Sequence, residues 1–170
     1  MGKGLIRSLS RGSPAKQEIV KQVIKVSAVA IVVDGATGIG FGSAVIGDLP
    51  EGNILFLGAV AYMQFSKVTA TGVQDTFDGD YGIGTTPASD ATITAADVDI
   101  ISSTALGAAT SGVSPRARGT NVTQAMFDNT DGSLELNLNL LIDDANISAD
   151  DQNLAASGEL HIAYIVLGDD

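Results

Sequence analysis

Four leucines at every second position constrain this chain more than any other stretch. Across residues 133–143, Leu134, Leu136, Leu138 and Leu140 alternate with Glu135, Asn137 and Asn139. Period two puts the leucines on one face of a pleated strand, whereas a helix would scatter all four around its circumference. The pattern therefore outweighs the helix propensity of leucine and predicts a strand with one buried and one polar face. Residues 158–168 carry a second such segment. There Leu160, Ile162, Tyr164 and Val166 share one face and His161, Ala163, Ile165 and Leu167 the other. Apolar residues on both faces predict a strand largely covered on each side.

The rest of the chain follows the same logic. In residues 19–33, Ile19, Val20, Val23 and Ile24 would suit a helix face, but eight β-branched residues between 20 and 33 favour a strand. The apolar run 53–65 follows the turn signal Pro50-Glu51-Gly52-Asn53, and Gly58 in its middle predicts a bulge or a close backbone contact. Gly35, Gly38, Gly40 and Gly42 read as turns or a tight irregular loop. Residues 71–90 and 103–120 read as long loops, with a weaker strand over 92–101. Strands without intervening amphipathic helices predict an all-β fold, a β-sandwich or jelly roll, with an up-and-down barrel as the alternative. At 170 residues the chain suits one domain plus an extension. We expect a basic extended arm over 1–17 and a single β-sandwich domain over 18–170.

Charge separates the same two parts. The net charge is −11, yet residues 1–25 carry Lys3, Arg7, Arg11, Lys16, Lys21 and Lys25 against Glu18 alone, so that stretch is +5. Residues 26–170 hold Lys67, Arg116 and Arg118 against nineteen carboxylates and are −16. A body this acidic repels a phosphate backbone, so no nucleic acid is expected as partner. Gly2, Gly4, Gly12 and Pro14 discourage a helix in the arm, whose apolar residues are Leu5, Ile6 and Leu9. The candidate binding residues are Lys3, Leu5, Ile6, Arg7, Leu9, Arg11 and Lys16. The apolar ones would anchor the arm, and the cations would make charge-assisted hydrogen bonds to carboxylates on a neighbour. Only 17% of residues are charged, and the mean hydropathy is positive. Both point to a surface partly covered by neighbours. No membrane partner is expected, because no apolar stretch approaches the ~20 residues of a spanning helix. No apolar signal-peptide core follows the basic start, and Ile6 stands where a myristoylation start wants Ser or Thr.

Chemistry-bearing motifs are few. The chain has no Cys and one His, which excludes thiolate and multi-histidine metal sites. The glycine-rich run 33–42 is not followed by the helix that a dinucleotide site needs, so it reads as a turn. Asp75, Asp78 and Asp80 could gather around Ca²⁺. Counted from Asp75, however, position six is Asp80 and position twelve is Thr86, so the EF-hand spacing fails. Neither metal nor cofactor is expected. His161 lies in an apolar strand and reads as a packed or edge residue. No Gly-x-Ser-x-Gly elbow occurs, and nothing selects a catalytic carboxylate pair. With no catalytic residue to name, we expect a protein that is not an enzyme.

Six stretches carry a resemblance. They are residues 77–86 (FDGDYGIGTT), 104–109 (TALGAA), 114–120 (SPRARGT), 128–132 (DNTDG), 138–148 (LNLLIDDANIS) and 158–170 (GELHIAYIVLGDD). Together they resemble a family of small virion proteins encoded by tailed bacteriophages. The similarity runs from about residue 25 to the end and leaves the basic arm uncovered. It implies a capsid decoration, or cement, protein that binds the outside of the major capsid shell and stabilises it. The implied partner is the major capsid protein, the implied location the capsid exterior, and the implied assembly a homotrimer of β-sandwiches. The arm residues would then be the capsid contact. A glycan- or receptor-binding module of a head fibre or tail is the alternative, and a Ca²⁺-dependent hydrolase with an unusual site is a third reading.

Overall fold

A computed structural model describes residues 18–35, 38–68, 71–107, 114–143, 146–149 and 151–168; the arm, 1–17, lies outside the described residues. Nine strands follow one another: β1 (Val20–Val33), β2 (Gly40–Asp48), β3 (Gly52–Lys67), β4 (Gly79–Gly84), β5 (Ile101–Leu106), β6 (Arg116–Asn121), β7 (Ala125–Asn129), β8 (Glu135–Ile142) and β9 (Gln152–Gly168). A single 3₁₀ turn, Ala95–Asp97, precedes β5.

The larger sheet has the order β1-β9-β3-β6, with β7 continuing the β6 edge along β3; the smaller sheet has the order β2-β8-β4-β5. All these pairings are antiparallel. With β7 set aside, β1 pairs β9, β2 pairs β8, β3 pairs β6 and β4 pairs β5. The first strand meets the last and each inner pair nests within it, as in a long hairpin rolled onto itself. That is the jelly-roll order, and the expected all-β sandwich is what forms. At one flank β1 passes into β2 through a bridge in which Asp34 and Phe41 exchange backbone hydrogen bonds of 2.9 and 2.8 Å.

The core lies between the sheets, where the period-two pattern sends it. Leu136, Leu138, Leu140 and Ile142 of β8 meet Ile54, Phe56, Met63 and Phe65 of β3, and all are fully buried. Each such side chain contributes about 1.5–3 kcal/mol relative to leaving it exposed. The bulge expected at Gly58 is present as a register shift between Phe56 and Gly58 against β9. Further along β3, opposite Met63, Gly158 of β9 has φ +157°, and a Cβ there would stand 2.0 Å from the Tyr62 carbonyl oxygen. Only glycine fits that approach.

The polar face of β8 corrects the sequence reading. Asn137 and Asn139 point away from the core yet are buried. Residues 85–100 lie over them, so the outer face of the smaller sheet is covered across β8 and β4 by the chain's own loop, while Val45 on β2 stays 48% exposed. Asn139 Nδ2 donates to the carbonyls of Thr86 (3.0 Å) and Asp97 (2.8 Å), and its Oδ1 accepts from the Ala88 N–H (2.8 Å). Room for this cover comes from Gly82 and Gly84 on the same outer face. Cβ atoms there would stand 2.4 Å from Val98 Cγ1 and 2.0 Å from the Ala96 oxygen. Thr85 fastens the far end of the loop through its N–H and hydroxyl, both donating to Asp99 at 2.9 and 2.7 Å.

Four further readings change. Residues 40–48 and 79–84 are strands rather than turns and loop, because their glycines sit where neighbours press on the sheet. The 92–101 segment is the covering loop, and the strand begins at Ile101. The stretch read as a loop over 103–120 contains most of β5 and β6.

Candidate functional site

Among the described residues the outer face of the larger sheet has no such covering loop, and it is the candidate site. Residues directly opposite on neighbouring strands point to the same side, so the register itself lays out this face in rows. Lys25 pairs Glu159, which pairs Tyr62, which pairs Arg118. Beside that row run Val23, His161, Val60 and Thr120, and beyond them Ile165, Leu55 and Met126. On the other side Ser157 pairs Gln64, which pairs Arg116.

Two properties set this face apart. It is apolar where nothing covers it: Val23 is 50% exposed, Tyr62 46% and Met126 57%. Val122, on the turn after β6, is 83% exposed and helps wall a shallow depression floored by Val23, Gly58, Val60, His161 and Ala163. The face also gathers cations. Of the five Lys and Arg among the described residues, Lys21, Lys25, Arg116 and Arg118 lie on it, and only Lys67 lies elsewhere, paired with Asp75 at 2.8 Å. Glu159 lies among them and Asp128 shares the face beyond Met126, and His161 Nε2 lies 3.2 Å from the Glu159 Oε2 with both side chains about half exposed.

Carboxylates collect elsewhere, mostly on the loops. Asp90 and Asp131 accept from Thr92 and Ser133, and those hydrogen bonds hold their carboxyls below the usual range. Asp99 is raised by burial, partly offset by Thr85. Asp143 is raised by burial and then by the like charges of Asp78 and Asp80. Among the described residues no cation lies within ion-pair distance of those three.

The residues named from sequence sort as follows. Lys3, Leu5, Ile6, Arg7, Leu9, Arg11 and Lys16 lie outside the described residues, whose first member, Glu18, sits three residues before Lys21 at one end of the open face. Asp75, Asp78 and Asp80 do not converge, because Asp75 turns to Lys67 while Asp78 accepts from Asn146 Nδ2. Among the described residues no three of His, Asp and Glu are placed to hold a metal ion. His161 stands on the open sheet with its Nε2 beside Glu159. Sequence reasoning missed the open face itself. Its signal was the spacing Lys21-x-Val23-x-Lys25 and Arg116-x-Arg118, which at period two puts each pair on one side of its strand.

No family model matches this sequence, and no curated protein matches it. Three chains of solved structures do. One, from the structure of the Gx strain of infectious bursal disease virus, is 13% identical and covers 91% of this chain at a TM-score of 0.35. This chain spans 36% of that one's length. The jelly-roll assignment rests on the strand order.

Proposed function

We propose that this chain is a non-enzymatic structural protein of a tailed-phage virion, a decoration protein that binds the outside of the major capsid shell and stabilises it. The observation that carries the reading is the bare outer face of the larger sheet. A chain that buries much of one sheet under its own loop and leaves the other apolar and cationic is built to be covered by another protein. The shallow depression on that face is open and lined mostly by apolar residues, so the face suits packing better than catalysis. The sequence resemblance to tailed-phage virion proteins supplies the setting. Jelly rolls occur in capsid proteins and also in lectins and cupins, so the fold alone does not choose between them.

On this reading the arm reaches the shell while the body packs beside its neighbours. Leu5, Ile6 and Leu9 supply the apolar contact, and Lys3, Arg7, Arg11 and Lys16 pair with carboxylates of the major capsid protein. The arm orders on binding, which makes its contact long and shallow. The test is occupancy on expanded capsids purified without this protein. Full-length protein should bind to saturation and raise the temperature at which the shells open. Protein lacking residues 1–17 should keep its melting temperature and lose most of its occupancy. Wild-type occupancy by the truncated protein would assign the decisive contact to the body. Failure of the full-length protein to bind any capsid would overturn the reading.

A further inference from the structure

We propose that the open face of the larger sheet is seated against the acidic loop end of a second copy of this chain, in a head-to-tail contact that closes into a ring. The inference rests on the structural reading above and names the partner of that face.

Charge complementarity carries it. Lys21, Lys25, Arg116 and Arg118 share the face with Glu159 and Asp128, while the body over residues 26–170 is −16. Two copies meeting face to face about a two-fold axis would bring these cations against one another. A different patch of the neighbour must therefore meet the face, and such heterologous contacts close into rings when the rotation allows. A complement the fold offers is the end of the sandwich where β4 begins and β8 stops. There Asp78, Asp80 and Asp143 lie together, with Asp143 N–H donating to the Asp78 carbonyl at 3.2 Å. Asp78 accepts from Asn146 Nδ2, yet among the described residues no cation lies within ion-pair distance of these three, whereas Asp75 is taken by Lys67. The apolar rows through Val23, Val60, Leu55 and Met126 supply the area that desolvates these charges and strengthens their pairing.

Sedimentation of the full chain tests this with two variants. Lys25→Glu with Arg118→Glu reverses the face, and Asp80→Lys with Asp143→Lys reverses the loop end. All four positions are at the surface or partly exposed, and circular dichroism with a melting curve checks that each variant folds. Wild type should sediment as a small closed oligomer at tens of micromolar. Each variant alone should sediment as a monomer, and an equimolar mixture should sediment above the monomer, because both contacts between unlike variants are attractive, one of them wild type and the other its charge-swapped equivalent. A wild-type monomer, or an oligomer indifferent to the face reversal, would overturn the proposal. So would a mixture of folded variants that stays monomeric. Capsid occupancy, measured separately, decides the decoration reading. If reversing the face removes capsid binding and leaves the oligomer intact, the face belongs to the shell and not to a second copy.

Discussion

The hydroxyl of Tyr81, on the smaller sheet, accepts a 2.7 Å hydrogen bond from the backbone N–H of Gly119, on the larger one. Tyr81 is fully buried, and its hydroxyl points at the carbonyls of Ala117 and Ala61. Gly119 leaves the space: a Cβ there would stand 2.8 Å from the hydroxyl and 2.5 Å from Ile101 Cγ2. The two sheets are thus pinned at the flank where β5 approaches β6. Tyr81→Phe leaves a buried N–H without its acceptor and should cost about 1–3 kcal/mol in urea unfolding.

The same phenol gives an alkaline signature. Burial pushes its pKa up to about 12, against the smaller opposing effect of the Gly119 hydrogen bond. The folded state therefore favours the neutral form. Stability from this group is complete below pH 10, the unfolded value, and is lost as pH rises toward 12. Unfolding midpoints between pH 8 and pH 11.5 should fall for wild type at the upper end and fall less for Tyr81→Phe. Parallel curves would contradict the assignment.

Asn139 should matter far more than Asn137, although the sequence presents them as equals. Asn139→Leu removes three hydrogen bonds that tie down the 85–100 loop and should cost about 2–4 kcal/mol. Asn137 makes one long bond, 3.5 Å, to the Glu135 carbonyl, and Asn137→Ala should cost about 1 kcal/mol. Limited proteolysis should cut Asn139→Leu within 85–100 before wild type is cut.

These two asparagines mark where the sequence stops being legible. Leu134 to Leu140 announce a strand and its inner face, because alternation is local. What covers Asn139 arrives from residues 86–97, and nothing near Asn139 signals it. Strands β2 and β4 were hidden for a related reason: Gly40, Gly42, Gly82 and Gly84 look like turn residues until the neighbours that press on them are known. Gly58 was readable because it interrupts a long apolar run. The open face was half legible. Each strand's alternation shows Lys21 with Lys25 and Arg116 with Arg118, but only the register across β9 and β3 brings the two pairs onto one surface.

Neutralising Asp143 should stabilise the isolated chain. Burial and the charges of Asp78 and Asp80 raise its pKa, so its ionisation works against the folded state and the cost is fully present at pH 7. The carboxyl is largely exposed, which keeps the effect small. Asp143→Asn should raise the melting temperature by about 1–2 °C at pH 7 and by nothing at pH 3, where the wild-type carboxyl is already protonated. A lower melting temperature at pH 7 would contradict the like-charge account.

The claim that this chain decorates a virion is tested most directly by counting it in purified particles of the virus proposed to carry it. Quantitative mass spectrometry of mature virions, with a reconstruction of the same particles, gives both number and place. The account predicts a copy number of the same order as the major capsid protein and jelly-roll density on the outer surface of the shell. Absence from the particles, or a few copies confined to the tail or a single vertex, would contradict it.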